Sequence, residues 1–284
     1  MSALARRCVA ALLLAMATAA ASAAPAEERV SFPSFDGAGS APVVLNGYFF
    51  AAPSSPAPAI AMFHGCGGAY DRRGELAPRL REYAELFNGL GFHVLVVDSL
   101  TARYEKELCT QRAGKRRVTQ VNRRLDVLGA IAYLAERSDV DPKRIGLIGW
   151  SNGASAVLAA TNLHHPVVAA AIAKPAFAIA FYPGCEADLR RGYSPSAPLL
   201  MLVGQLDDWT PAAPCLALAR RSEEPRPDIV VYPGAWHGFD SDAPVRLRKD
   251  VPNGTHPGQG VHIGGNAAAW RDSRDRVVRF ADAH

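Results

Sequence analysis

The chain has 284 residues, with 31 lysines and arginines against 27 aspartates and glutamates, which gives a formal net charge of +4. Hydrophobic residues make up 49% of it, enough for a sizeable buried core, and this small charge argues against nucleic acid as a partner.

The first residues have the pattern of a secretory signal. A basic pair at 6–7 precedes an apolar run over 8–20, and small residues of the A-x-A type follow at 21–23. The apolar run is shorter than the roughly 20 residues of a transmembrane helix. We therefore expect a cleaved signal peptide over 1–23 and a single domain over 24–284 in the periplasm or outside the cell, without a membrane anchor. An uncleaved anchor is the alternative.

Strand-like and helix-like stretches alternate along the rest of the chain. The apolar runs predict strands over 43–50 (an edge strand), 59–63, 92–97, 145–148, 177–182, 199–203 and 229–232. Helical spacing predicts helices over 76–90 and 118–136, one opening at Ser151, and a last one over about 266–281. A turn is expected at Asp141-Pro142, and the basic stretch 112–124 is expected to be a solvated helix face.

This alternation predicts an α/β protein with a mostly parallel central sheet and helices on both faces. In such sheets the ligand site lies beyond the carboxyl ends of the strands. Polar residues that directly follow the predicted strands are therefore the candidates for a functional site.

The strongest of these candidates is Gly149-Trp150-Ser151-Asn152-Gly153, which matches G-x-S-x-G between a strand and an alanine-rich helix. This is the context of a nucleophile elbow, a tight turn that raises the serine oxygen above the sheet. The same turn puts the Asn152 N–H at a helix N-terminus, where it can stabilise an oxyanion. The alternative is an ordinary glycine-rich turn.

Serine needs an adjacent base, and the base needs a carboxylate to orient it. His237 follows the strand predicted over 229–232, and Asp207 and Asp208 follow the one over 199–203. The chain order serine, aspartate, histidine is that of α/β hydrolases. Side chains of successive residues diverge, so only one aspartate can face the histidine, and spacing alone leaves the choice open.

The run His64-Gly65-Cys66-Gly67-Gly68 follows the strand over 59–63. Its glycines let the backbone approach a substrate carbonyl, so we expect the Cys66 N–H to be the second oxyanion donor beside that of Asn152. His64 is interpreted as a residue that shapes this loop rather than as a catalyst.

Cys66, Cys109, Cys185 and Cys215 lie beyond the predicted signal. An even number of cysteines in an exported chain favours two disulfides, and three pairings are open. We favour Cys66–Cys109 and Cys185–Cys215 because each would join loops at the ends of neighbouring strands; four buried thiols are the alternative. No zinc-ligand spacing is present, so neither a metal nor another cofactor is expected.

Together these motifs resemble the dienelactone hydrolase family of the α/β hydrolases. The resemblance rests on 64–68, on 149–153, on the G-x-x-D-x-x-x-P run over 204–211 and on His237-Gly238-Phe239. In that family the aspartate three residues after the glycine completes the triad, which implies Asp207. The namesake enzymes carry cysteine at the elbow, so the resemblance implies the fold and the triad but not the dienelactone substrate.

Other residues are candidates for substrate binding. Tyr70 and Arg72 follow the oxyanion loop, Arg103 follows the strand over 92–97, and Trp150 adjoins the nucleophile. Either arginine is suited to bind a carboxylate, although surface arginines are common. The long polar segment 240–265 is expected either to form a wall of the pocket or to wrap the surface.

We therefore expect an exported serine hydrolase that cleaves small-molecule carboxylic esters, with lactones as a further class, through an acyl-enzyme on Ser151, Asp207 and His237. The alternatives are a peptidase or transacylase on the same triad, and a non-catalytic binding protein that keeps the fold. No motif in the sequence indicates an oligomeric state.

Overall fold

The computed structural model of the protein describes residues 27–37 and 41–284. The signal peptide predicted over 1–23 lies outside these ranges. Every helix within the described ranges is too short or too polar to cross a membrane.

The centre of the fold is an eight-stranded sheet in the order β1-β2-β4-β3-β5-β6-β7-β8. Its strands are β1 (Glu27–Pro33), β2 (Val44–Phe50), β3 (Ala57–Phe63), β4 (His93–Asp98), β5 (Val140–Trp150), β6 (Phe177–Phe181), β7 (Leu199–Gly204) and β8 (Asp228–Tyr232). The six strands from β3 to β8 are parallel, while β1 and β2 run antiparallel at one side. The predicted α/β class with a mostly parallel sheet is confirmed.

Within the described part of the chain, seven α-helices accompany the sheet. They are α1 (Pro78–Gly89), α2 (Gln120–Glu136), α3 (Asn152–Ala160), α4 (Pro166–Ala170), α5 (Glu186–Arg191), α6 (Ala212–Arg221) and α7 (Ala267–Asp282). Helix α2 begins where Thr119 and Asn122 exchange hydrogen bonds in a capping box, and α7 begins where the Asn266 side chain accepts from the Ala269 N–H.

The two faces of the sheet bury separate apolar cores. Along β3, Ala59, Ala61 and Phe63 pack with residues of α2 and α3, whereas Ile60 and Met62 pack with residues of α1 and α7. This alternation is what a strand covered on both faces requires, since successive side chains point to opposite sides.

Three sequence expectations are wrong in detail. The strand over 43–50 is not at the edge, because β1 pairs with it along its whole length. Asp141-Pro142 lies inside β5 rather than in a turn. Residues 141–144 pair with no residue of β3, so the N–H group that proline lacks removes no hydrogen bond between these two strands. The basic stretch 112–124 is not all solvated, because Arg123 is completely buried.

Candidate active site

Ser151 stands between β5 and α3 in a backbone conformation that serine rarely adopts, with φ 53° and ψ −115°. The Ser151 N–H donates to the carbonyl of Phe181 at 2.9 Å, which holds the turn against β6. The glycines on either side permit this turn: a Cβ on Gly149 would lie 2.6 Å from the Gly153 backbone, and one on Gly153 would lie 2.1 Å from the Phe63 carbonyl oxygen.

Gly153→Ala is therefore expected to lower the free energy of unfolding by about 3 kcal/mol or more, because backbone and not a flexible side chain blocks the new methyl group. The matched control is Gly89→Ala at the end of α1, where a Cβ meets nothing within 4 Å and stability should change by about 1 kcal/mol or less. Urea denaturation of both variants makes the comparison; equal stabilities would contradict this account of the elbow.

The three residues proposed as a triad form one hydrogen-bonded row. Ser151 Oγ lies 2.9 Å from His237 Nε2, and His237 Nδ1 lies 2.7 Å from Asp207 Oδ2. All three side chains are buried. With the proton on Nδ1 held by the carboxylate, Nε2 is free to accept the serine proton.

The loop after β7 separates the two adjacent aspartates. Asp207 Oδ1 accepts from the N–H groups of Trp209 (2.9 Å) and Thr210 (2.8 Å), which fixes the carboxylate facing His237. Asp208 points elsewhere, with Oδ2 2.7 Å from His262 Nδ1 and Oδ1 accepting from the His262 N–H at 2.8 Å.

Sequence reasoning did not identify Thr210. Its hydroxyl lies 3.1 Å from both Asp207 Oδ2 and His237 Nδ1, and 2.9 Å from the carbonyl oxygen of Tyr182. The threonine therefore ties the carboxylate and the imidazole to the end of β6. Its only sequence signal is its position three residues after the aspartate.

Cys66 and Asn152 lie in the two loops expected to supply oxyanion donors. Asn152 is the first residue of α3, directly after Ser151. Cys66 is bonded to Cys109, and its carbonyl accepts from the Leu108 N–H at 2.7 Å. The second disulfide joins Cys185 to Cys215, so both pairs match the favoured pairings.

The buried side chain of Arg123 bonds to both of these loops, at His64 and at Asn152. Its Nη1 donates to Asn152 Oδ1 and its Nη2 donates to the carbonyl of His64, both at 2.9 Å. Burial lowers the pKa of Arg123 to about 10, against the opposing charge of Asp126, so the guanidinium stays protonated at neutral pH. A charged group that is completely buried and bonded to both loops fixes their separation.

The His64 side chain forms no hydrogen bond with Ser151, His237 or Asp207. Its Nδ1 lies 2.7 Å from the Gly65 carbonyl oxygen, and its Nε2 accepts from the Ser99 N–H at 3.3 Å, so the ring is neutral and ties the loop to the end of β4. Burial, and next the charge of Arg123, lower the pKa of His64 to about 3.

Because the unfolded chain protonates His64 near pH 6.5 and the folded chain does so only near pH 3, stability should fall as pH falls through this window. The contribution of this one group is at most about 1.4 kcal/mol per pH unit. His64→Asn should therefore flatten the pH dependence of the free energy of unfolding between pH 4 and 6, measured in urea. His256→Asn, at an exposed position, is the matched control; identical slopes for wild type and His64→Asn would disprove the assignment.

A cleft of about 460 Å³ opens over Ser151 and His237. Segment 240–265 forms one of its walls, through residues such as Ser241, Arg246 and Ile263. Its hairpin of β9 (Arg246–Arg248) and β10 (Val261–Ile263) is held to the site by the Gly264 N–H, which donates to the His237 carbonyl at 3.0 Å. We call this the active-site cleft.

The residues predicted to bind substrate lie in different parts of the structure. Tyr70 and Trp150 line the active-site cleft. Arg72 lines a neighbouring cavity that shares Tyr70 with it. The expectation for Arg103 is corrected: it lines neither cavity, and its guanidinium is bound to Asp36 (2.8 Å) and Asp126 (2.7 Å).

Asp240, which sequence reasoning also did not identify, is buried beneath the cleft. Its carboxylate accepts from Tyr182 Oη at 2.7 Å and from Trp150 Nε1 at 2.9 Å, and Arg79 Nε lies 3.0 Å from it. Burial raises the pKa of Asp240, and the charge of Arg79 opposes that shift. The network joins the elbow, the end of β6 and the loop of His237.

Among the described residues, no group of three or more His, Cys, Asp and Glu side chains is arranged to hold a metal.

Several known proteins are similar in sequence. An uncharacterized protein of Mycobacterium tuberculosis (strain ATCC 25618 / H37Rv) is 29% identical over 212 residues, which are 68% of each chain. YtaP of Bacillus subtilis (strain 168) is 32% identical over 109 residues, which are 34% of this chain and 36% of YtaP. The match to YtaP thus spans about a third of that relative's length.

Solved structures share the fold. The dienelactone hydrolase-like promiscuous phosphotriesterase P91 from metagenomic libraries superposes with a TM-score of 0.62 at 18% identity, covering 91% of this chain and 98% of that one. Esterase 2 of Thermogutta terrifontis, with propionate bound, superposes with a TM-score of 0.59 at 17% identity, covering 90% of this chain and 93% of that one.

The model of the dienelactone hydrolase family matches residues 45–284. The resemblance predicted from the motifs is confirmed, and the chain belongs to the dienelactone hydrolase family.

Proposed function

We propose that this chain is an exported serine hydrolase that cleaves carboxylic esters, and lactones as a second class, through an acyl-enzyme. The observation that carries the proposal is the row of hydrogen bonds from Ser151 Oγ to His237 Nε2 (2.9 Å) and from His237 Nδ1 to Asp207 Oδ2 (2.7 Å). A hydroxyl, an imidazole and a carboxylate in this order are the parts that nucleophilic acyl transfer requires.

In the proposed reaction, Ser151 Oγ attacks the ester carbonyl while His237 Nε2 takes the serine proton. The N–H groups of Cys66 and Asn152 hold the oxyanion of the tetrahedral intermediate. As the intermediate collapses, the carbon–oxygen bond to the alcohol breaks and His237 gives its proton to the departing oxygen. Water, deprotonated by His237, then attacks the acyl-enzyme, releasing the acid and restoring Ser151.

The names of similar proteins agree with this reaction class. P91 is described as a promiscuous phosphotriesterase, and one structure of Thermogutta terrifontis esterase 2 is phosphorylated by paraoxon. Because the sequence identities are 18% and 16%, these likenesses support the fold alone, and the proposed chemistry rests on the geometry of Ser151, His237 and Asp207 in this chain.

The test is covalent labelling by a fluorophosphonate probe, read by intact mass and by peptide mapping. We expect one adduct per chain, on Ser151, with loss of p-nitrophenyl acetate hydrolysis in proportion to labelling. Ser151→Ala should not label, and its hydrolysis of the ester should fall to the small residual rate that binding and the oxyanion donors supply. A folded wild-type protein that hydrolyses the ester without labelling at residue 151 would overturn the proposed nucleophile.

The exported location rests on the signal predicted over 1–23 and on the two disulfides, which persist in oxidising compartments. Expression of the full chain in a bacterial host, followed by fractionation, should give a protein outside the cytoplasm that begins at residue 24 or 25. A cytoplasmic protein with its first 23 residues intact would contradict export.

A further inference from the structure

Two cavities meet at Ser151. Besides the active-site cleft, a second cleft of about 500 Å³ opens on the side of α3 and α5. It is distinct from the cavity that Arg72 lines. Both cavities are bordered by Ser151, Cys66 and Trp209. An ester carbonyl at Ser151 therefore has room for one substituent in each cleft.

The position of the base decides which part of the ester occupies which cleft. His237 lines the active-site cleft but not the second cleft, whereas Asn152 lines the second cleft but not the first. The departing alcohol oxygen must receive its proton from His237 Nε2, so it lies on the side of the active-site cleft. The acyl chain then extends past the Asn152 N–H into the second cleft.

The lining of the second cleft carries an excess of positive charge. Its charged lining residues are Arg116, Arg190 and Glu186, of which Arg190 and Glu186 are exposed. Arg116 is partly buried, and its Nε donates to the Gln111 carbonyl at 3.3 Å. Within the described ranges its guanidinium forms no ion pair with a carboxylate; burial lowers its pKa, and the more distant Glu107 opposes the shift.

A partly desolvated guanidinium without a carboxylate partner is suited to bind a planar anion through two hydrogen bonds. We propose that the second cleft is the acyl subsite and that it takes acyl groups ending in a carboxylate, with Arg116 as its ligand. The substrate class is thus a monoester of a short dicarboxylic acid. This inference rests on the proposed function, because it requires attack by Ser151.

The reaction is acyl transfer to Ser151: the new bond joins Ser151 Oγ to the acyl carbon, the ester bond to the alcohol breaks, and the serine proton passes through His237 to that alcohol. The terminal carboxylate takes no part in bond making. It acts by binding, so its loss changes the specificity for the acyl group and not the chemistry.

The test compares two esters with the same leaving group and chain length: the mono-p-nitrophenyl ester of glutaric acid and p-nitrophenyl pentanoate. The quantity measured is the ratio of kcat/KM for the glutarate ester to that for the pentanoate ester. Arg116→Ala should lower this ratio about tenfold, and Arg116→Lys, which keeps the charge without the two-pronged geometry, should lower it less. Arg116→Met keeps most of the side-chain bulk and should lower the ratio by the same factor. It replaces Arg116→Ala in the comparison if Arg116→Ala folds poorly.

Arg117→Ala is the matched control, since Arg117 is the exposed neighbour and lines neither cleft. Its ratio should equal that of wild type. The acyl subsite is overturned if the ratio of kcat/KM values is the same in wild type, Arg116→Ala and Arg116→Met. The proposed function still holds in that case if hydrolysis of p-nitrophenyl pentanoate depends on Ser151. If neither ester is hydrolysed in a way that depends on Ser151, the proposed function and this inference fall together.

Discussion

Asp207→Asn should lower kcat for ester hydrolysis by about 10⁴-fold. The amide cannot accept the Nδ1 proton as the carboxylate does at 2.7 Å, so it favours the wrong tautomer of His237 and no longer stabilises the imidazolium. The fold should persist, because the carbonyl oxygen of the new amide can still accept from the Trp209 and Thr210 N–H groups that now bond Asp207. The measurement is steady-state hydrolysis of p-nitrophenyl acetate.

The chain supplies its own matched control for this substitution. Asp208→Asn makes the same chemical change one residue along, but Asp208 bonds to His262 and not to His237. It should loosen segment 240–265 and raise KM, with kcat within about tenfold of wild type. Equal loss of kcat in the two variants would mean that the loop and not the triad is being disturbed.

A double variant sharpens the result. If Ser151, His237 and Asp207 act as one unit, Ser151→Ala with Asp207→Asn should hydrolyse the ester no more slowly than Ser151→Ala alone, because effects within such a unit are not additive. A further large loss in the double variant would show that Asp207 acts separately from the nucleophile.

The strands and the elbow could be predicted from the sequence because their signals are local. Each core strand is a short apolar run, and G-x-S-x-G lies within five residues of chain. The choice of Asp207 over Asp208 depends on the family resemblance and not on a local signal. The direction of a loop side chain is set by the loop's own hydrogen bonds, here from the N–H groups of Trp209 and Thr210.

The supporting groups could not be predicted because their partners are distant in sequence. The basic stretch 112–124 predicts that Arg123 lies on a solvated face, yet it bonds to Asn152 and to the His64 carbonyl, 29 and 59 residues away. Asp240 bonds to Trp150 and Tyr182 across 90 and 58 residues. Charge counts along the chain cannot distinguish a buried arginine from an exposed one, since only the packed structure brings its acceptors together.

Arg123→Met should lower kcat about 100-fold, because the loops of His64 and Asn152 lose the group that holds them together, and a shift of about 1 Å in an oxyanion donor has an effect of this size. Arg123→Lys should recover part of the loss, since one ammonium group can reach only one of the two acceptors well. Both variants remove or weaken a buried charged contact, so kcat is normalised to the folded fraction measured by urea denaturation.

A positioning role differs from a merely stabilising one in how kinetic constants respond. Substrate KM should change little, and the pH profile of kcat should keep its shape because the triad is intact. A boronate that mimics the tetrahedral intermediate should bind Arg123→Met less tightly by about the same 100-fold factor. Arg124→Met, at the next residue of α2, is the matched control and should retain both kcat and boronate affinity. If Arg123→Met loses stability but keeps kcat per folded molecule, the arginine supports the fold alone, and the proposed oxyanion donors, Cys66 and Asn152, are held in place without it.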